Sequence, residues 1–378
     1  MTESMRKLQM VDLHSQYHRI KNEIDKAILN VVDSVAFING PEVKALSTDL
    51  EEYLGVKHVI PCANGTDALQ IALMSLGLKE GDEVITSDFT FAATVEVIHL
   101  LKLKAVLVDV DYDNFNIDID KLEKAITPNT KAIIPVHLFG QCANMEAILT
   151  LAQKHNIHVV EDNAQAIGAE YTFSNGEKRK SGTMGSTGTT SFFPSKNLGC
   201  YGDGGAIFTD NDELAYKIRG IVNHGMYRRY YHDEVGVNSR LDSIQAAILR
   251  IKLKHLDDYN KSRNKVADFY DMSFEDNTNI LVPNRVDYSS HVFHQYTLRI
   301  LNGKRNELQE FLLSKEIPAM IYYPVPLRKQ KAYYQESNDY DFKNTDKLVT
   351  EVISLPMHTE LDNEQLEYIV NSVLSFFK

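Results

Sequence analysis

The run SFFPSKNLGCYGDGG, from Ser191 to Gly205, sets one lysine between a hydroxyl-bearing β-type segment and a glycine-dense turn. Lys196 is therefore a candidate for covalent anchoring of a cofactor. An amine is a useful nucleophile near neutral pH only when its surroundings lower its pKa, and a tight, partly desolvated turn meets that condition. A lysine beside glycines is by itself an ordinary surface lysine, so the case rests on what else the chain supplies.

Three further segments carry complementary chemistry. In CANGTDAL (62–69), Gly65 allows close backbone approach, and Thr66 sits where its hydroxyl and the following amides receive a phosphate at a helix amino terminus. A plain helix cap also explains that tripeptide, and Asp67 must face away from any phosphate. In VVEDNAQ (159–165), Asp162 ends an apolar run and Gln165 follows three residues on. Such a carboxylate is either a loop anchor or, opposite a pyridine nitrogen, the group that keeps the ring protonated and able to accept a carbanion's electrons. In SDFTFAAT (87–94), Phe91 or Phe89 could stack on a flat heterocycle, or both could be core. The order of parts is phosphate cup, aromatic, acid, then lysine, with Ser191 beside the lysine. Together they make up a pyridoxal phosphate site.

Those parts need a frame that brings them to one edge. HVIPC (58–62), the run at 83–87, KAVLVDV (104–110), KAIIPVHL (131–138) and HVVED (158–162) read as strands buried on both faces. Helical patterns lie between them: Ala68, Leu69, Ala72, Leu73 and Leu76 fall on one face, as do Met145, Ile148, Leu149 and Ala152. The alternation predicts an α/β domain with a mostly parallel sheet, where ligands collect beyond the carboxyl ends of the strands. GAEY, TTSFF and GGAIFTD, with a turn signal at SNG, add hairpins and extra strands. A long helical pattern from about Leu241 leads out of that domain. The large domain is expected over 1–256, including an amino-terminal arm. Residues 257–378, with the strand-like VFHQYTLRI and helices carrying Leu308, Phe311 and Leu312 and then Leu366, Ile369, Val370 and Val373, are expected to form a smaller α+β domain.

Composition narrows the function classes. The 378 residues are 43% apolar with a formal charge of -12, which argues against sequence-independent nucleic-acid binding, so an anionic ligand must be gripped by local positive groups. Cys62, Cys142 and Cys200 share no metal-ligand spacing and form no even set, so neither a zinc site nor a disulfide framework is expected. With no signal-peptide pattern in MTESMRKLQM and no long apolar run, a cytoplasmic protein without a membrane anchor is expected.

CANGTDAL, SDFTFAAT, VEDNAQAIGAEY, SFFPSKNLGCYGDGGA and GVNSRLDSIQAAIL, in that order, resemble the successive motifs of the DegT/DnrJ/EryC1/StrS sugar aminotransferases. The resemblance implies the aspartate aminotransferase fold (fold type I), and a homodimer with active sites at the subunit boundary. It implies pyridoxal 5'-phosphate held as an internal aldimine on Lys196, Asp162 paired with the ring nitrogen, and Gln165 near the ring hydroxyl. Gly65, Thr66 and Ser191 would hold the phosphate, Phe91 would cover one ring face, and Asn238 would reach the phosphate from the partner subunit. The reaction implied moves the amine of L-glutamate, leaving 2-oxoglutarate, to a nucleotide-linked keto sugar. The family's commoner pattern has an aspartate near Gly188 or Thr189 and often a histidine in place of Pro194. That departure is similar to the branch aminating C3 of UDP-2-acetamido-2-deoxy-3-keto-D-glucuronic acid for surface polysaccharides. A uronic carboxylate calls for an arginine clamp: Arg240 first, then Arg228 and Arg229, whose alternative is a solvated basic patch or a diphosphate contact. Tyr322 and Tyr323 stand where the family carries substrate-facing residues, or only pack the surface. A dTDP-3-keto-6-deoxyhexose is the alternative substrate, and a pyridoxal-binding regulator the alternative outside enzymes. A sugar dehydratase of this fold replaces the lysine by histidine, and Lys196 counts against it.

Overall fold

The five apolar runs form β1 (His58–Cys62), β2 (Glu83–Ser87), β3 (Lys104–Val108), β4 (Thr130–Ile134) and β5 (His158–Asp162). Two later runs add β6 (Thr187–Ser191) and β7 (Gly205–Thr209) to the same sheet, in the order β1-β7-β6-β5-β4-β2-β3. The computed structural model describes residues 6–334 and 341–378. Strands β2 to β6 pair in parallel, and β7 runs antiparallel to both β6 and β1. β4 stops before the predicted end at 138 because Pro135 has no amide for the ladder; its carbonyl instead accepts from the Asp162 amide at 2.9 Å.

Register delivers the predicted chemistry to one edge. Asp162 lies opposite Thr189, Ser191 opposite Gly205, and Gly205 opposite Cys62, so the ends of β1, β5 and β6 meet where β7 begins. α1 (Gly65–Ser75) starts directly after β1, and buries Ala68, Leu69, Ile71, Ala72 and Leu73 against the sheet. α2 (Ala93–Leu100) covers the sheet after β2, and α3 (Met145–His155) buries Met145, Ile148, Leu151 and Ala152 on the other layer. Fully burying a leucine or isoleucine of this kind contributes about 1.5–3 kcal/mol, so the two layers anchor the edge strongly. The SNG turn closes a hairpin between Glu170–Thr172 and Lys178–Lys180.

The helical pattern from Leu241 is two helices, Ser243–Leu253 and Leu256–Phe274, with a break at Lys254 and His255. Beyond it a three-stranded antiparallel sheet, β8 (Ile280–Leu281), β9 (Tyr296–Ile300) and β10 (Val352–Leu355), has its own core. Tyr270, Leu298, Leu308, Leu312, Ile353, Ile369 and Val373 fill that core, and Leu8 of the amino-terminal arm is buried in it as well. Arg6 holds the arm there, donating to the Asp362 carboxylate at 3.0 Å and to Gln365 at 3.3 Å.

Candidate active site

A cleft opens at the carboxyl edge of the large sheet, lined by Gly65, Thr66, Phe91, Asp162, Gln165, Ser191 and Lys196 together with Tyr322 and Tyr323. The four segments singled out in the sequence thus converge.

Lys196 is half-buried in the tight turn after β6, where its amide donates to the Phe193 carbonyl at 2.8 Å. Burial pushes its amine down to about 8, against an opposing attraction from Asp162. No hydrogen bond or ion pair engages the amine among the described residues. It is free to react.

Asp162 is 5% exposed and fixed on both oxygens: Thr94 Oγ1 donates to one at 2.8 Å and the Ala164 amide to the other at 3.2 Å. Strand alternation turns its neighbour Glu161 to the opposite side. There Glu161 is fully buried, accepting from the Gly182 amide at 2.9 Å, the Met184 and Gly185 amides at 2.6 Å each, and His137 Nε2 at 2.9 Å. One acid of the pair thus faces the cleft; its neighbour ties the 182–185 loop to the strand.

The amino terminus of α1 is shaped for an anion. Asn64 Oδ1 takes the Asp67 amide at 2.8 Å, which leaves the amides of Gly65 and Thr66 unused by the helix. Gly65 is obligatory, because a Cβ there would lie 2.7 Å from the Ser191 Cβ and block the cup. Gly205 plays the same part opposite, where a Cβ would meet the Asn64 carbonyl oxygen at 2.4 Å.

Of the two phenylalanines, Phe91 is 58% exposed at the cleft, whereas Phe89 is core, packed edge-on against Phe139 and Tyr323. Gln165 accepts from the Phe139 amide at 2.7 Å and donates to Tyr323 Oη at 3.2 Å. Asn238, Arg228, Arg229 and Arg240 do not line this chain's cleft. Arg228 and Arg229 are exposed on the small hairpin Met226–Arg228/Tyr231–His232, over the rings of Tyr231 at 3.4 Å and Tyr230 at 5.1 Å. Asn238 is exposed and bridges to Asn223, and Arg240 is half-buried.

Sequence reasoning missed Thr94 and His294. Thr94 stands at the end of a quoted motif, but only the fold shows which carboxylate its hydroxyl meets. His294 is 5% exposed, lines the cleft, and has Nδ1 unpartnered; burial, then Lys196 and Arg263, hold it well below the usual histidine range. A lone histidine inside an apolar run gives no signal of that position. Among the described residues no group of three or more His, Cys, Asp or Glu is placed to hold a metal ion, and no helix is long and apolar enough to cross a membrane.

Pyridoxal phosphate fits this set of residues: a narrow cup of unused amides for the phosphate, a buried carboxylate for the ring nitrogen, an aromatic face, and an unpaired amine. Fold and cleft together define a pyridoxal phosphate-dependent transferase of fold type I. The chain belongs to the DegT/DnrJ/EryC1/StrS aminotransferase family, matching it over residues 18–374. It is 47% identical to the UDP-2-acetamido-2-deoxy-3-oxo-D-glucuronate aminotransferase of Pseudomonas aeruginosa, over 96% of this chain and 98% of that one. It is also 47% identical to a pleiotropic regulatory protein of Geobacillus stearothermophilus, over 98% of each. Among solved structures it is similar to S. venezuelae DesV in complex with a ketimine intermediate, with a TM-score of 0.93, 36% identity, and coverage of 98% of this chain and 99% of that one.

Proposed function

We propose that the protein transfers the amine of L-glutamate to C3 of a UDP-linked 3-keto sugar, with UDP-2-acetamido-2-deoxy-3-oxo-D-glucuronate as the substrate its relative's name favours. The observation that carries this reading is Lys196: an amine lowered to about 8, unpaired, and facing the same cleft as Asp162 and the helix terminus. Bound there, pyridoxal phosphate supplies an electron sink for the carbon that loses its proton. The Gly65 and Thr66 amides with Ser191 would hold its phosphate. Asp162, fixed by Thr94, would keep the proton on its ring nitrogen, and Phe91 would cover one face. Lys196 Nζ would take the Cα proton of the amino donor and return it to the carbon on the far side of the transferred nitrogen, which requires an amine able to exist in both protonation states near neutral pH.

Charge supports a homodimer. Lys196 is the one lysine or arginine lining the cleft among the described residues, and it shares the cleft with Asp162 and Asp203. A cofactor phosphate, a sugar-linked diphosphate and a uronic carboxylate exceed what one amine balances. The missing cations are those of Arg228, Arg229 and Arg240, on a segment that also exposes Asn238 and projects Tyr230 at 76% and Val235 at 85% exposure. A second copy inserting this segment completes the site, with Asn238 on the phosphate and arginine on the carboxylate.

A pleiotropic regulator is the reading that the second relative's name favours. A fixed acid and an unpaired lowered amine go beyond what cofactor binding alone needs. Incubating the purified protein with L-glutamate and the UDP-linked 3-keto uronate is expected to yield 2-oxoglutarate and the 3-amino sugar. Faster turnover of a dTDP-linked 3-keto-6-deoxyhexose would reassign the substrate, and no 2-oxoglutarate with either sugar would favour the regulator.

A further inference from the structure

The segment carrying Tyr322 and Tyr323 comes from the second half of the chain, yet it is fastened to the end of β2. Asp88, directly after that strand, is fully buried. Its carboxylate accepts the Arg328 amide at 2.8 Å and the Arg328 guanidinium, and its own carbonyl accepts the Leu327 amide at 3.1 Å. The other arm of Arg328 donates to Asp346 at 2.6 Å, which Lys329 Nζ also meets at 2.6 Å, and the guanidinium lies 4.3 Å from the Phe342 ring centroid. Leu327 and Phe342 are buried in the core of the large sheet. Immediately beyond Asp88, Phe89 and Phe91 contact Tyr323 at ring separations of 6.0 and 6.3 Å. Asp88 to Phe91 therefore grips residues 322–328 at two points, by charge at one end and by aromatic contact at the other.

Apolar residues of similar volume would serve such a junction at least as well for stability, since a buried ion pair recovers little more than its desolvation cost. What the pair supplies is registry. Arg328 is held in a fixed fork between two carboxylates and cannot slide without unpairing a buried charge. Burial pushes the Asp88 carboxyl up from its ordinary value, and Arg328 opposes that shift.

We infer that the Asp88–Arg328 pair is a specificity latch: Arg328 is a positioning residue that sets Tyr322 and Tyr323 over the cleft for the keto sugar, without touching the sugar itself. This inference rests on the proposed function for the identity of the sugar. The proposed function gives Tyr322 and Tyr323 no part in the amino-donor half of the reaction, so the latch acts on the sugar half.

The test uses the full-length, cofactor-loaded protein and its Arg328→Met, Arg328→Lys and Asp88→Asn/Arg328→Met variants, the last guarding against an unpaired buried carboxylate that unfolds the chain. Displacements of ~1 Å remote from the chemistry are enough to cost up to about 10²-fold. Arg328→Met is expected to raise KM for the keto sugar about tenfold while kcat and the glutamate half-reaction change less than about twofold, with Arg328→Lys between parent and Met. Hydrogen exchange of the Leu327 and Arg328 amides is expected to quicken in the Met variant. A sugar KM within about twofold of the parent in both Met-containing variants overturns the latch. If the parent itself converts no keto sugar, the functional proposal fails separately, and exchange decides the latch: faster exchange in Arg328→Met supports it, unchanged exchange overturns it.

Discussion

Two lysines in this chain have the same lowered pKa and opposite surroundings. Lys196 and Lys252 are each pushed down to about 8, chiefly by burial. Lys196 looks into a cleft beside Asp162, a helix amino terminus and exposed Phe91. Lys252 is 1% exposed within the helix Ser243–Leu253, its ammonium 5.4 Å from the Tyr201 ring, with the Tyr201 and Tyr259 hydroxyls unpartnered nearby. A lowered amine is therefore not a site. It becomes one when an open side admits a ligand and neighbours grip the rest of that ligand.

The largest effect that separates the two regions is expected from Lys196→Ala. Turnover should fall on the order of 10⁵-fold or more, since removing a group that acts in concert with others collapses the whole step. The cofactor should still bind through its phosphate but become dialysable and lose the visible absorbance of a lysine-bound form. Survival of that absorbance would move the anchor to another lysine. Next comes Asp162→Ala, expected to lower turnover on the order of 10³-fold by removing the charge that holds the ring proton. Normal turnover in this variant would reject the acid's role. Thr94→Val is smaller: it deletes a single hydrogen bond to a charged group, a loss of about 1.5–3 kcal/mol, so a drop of ~10–100-fold in kcat/KM is expected. Full activity with Asp162 still in place would make Thr94 a packing residue.

How much of this was legible in the sequence follows from the kind of signal each residue gives. Strand cores such as HVIPC and HVVED announce themselves by continuous apolar runs, and Gly65 by the tight turn it must allow. Asp162 and Gly65 were found because each ends or begins such an element, where open sheets place ligands, and Lys196 because it stands between a strand-like segment and a glycine-dense turn. Thr94, His294 and Arg328 were not, because their roles depend on contacts far apart in the chain. Thr94 meets Asp162 across 68 positions and Arg328 meets Asp88 across 240, from outside the large sheet, and no local pattern encodes such contacts. The choice between Phe89 and Phe91 was open for a related reason: the run FTF places both rings on one side of an extended chain, and only the turn after β2 sends one inward.

The smallest effect on activity and the sharpest check on the comparison is Lys252→Met. Methionine matches the lysine stem in length and suits an irregular apolar site, so turnover should stay within about twofold of the parent. Stability should respond instead. Below pH 8 the parent keeps a buried ammonium whose ordinary pKa is 10.5, with burial lowering it, Cys200 opposing and Arg263 adding to the loss. Between pH 8 and 10.5 the unfolded chain holds more of that proton than the folded one, so the parent gains stability as pH rises through the window. The gain totals about 3 kcal/mol for a shift of this size. The variant has no such proton to lose. Its urea midpoint should therefore exceed the parent's at pH 7, and the gap should narrow towards pH 10.5, because subtracting the two curves cancels the titrating groups that do not couple to Lys252, Lys196 included, and leaves Lys252 with its neighbours Cys200 and Arg263. A gap that stays constant across that range would mean that Lys252 carries no burial penalty, and that its likeness to Lys196 is only apparent.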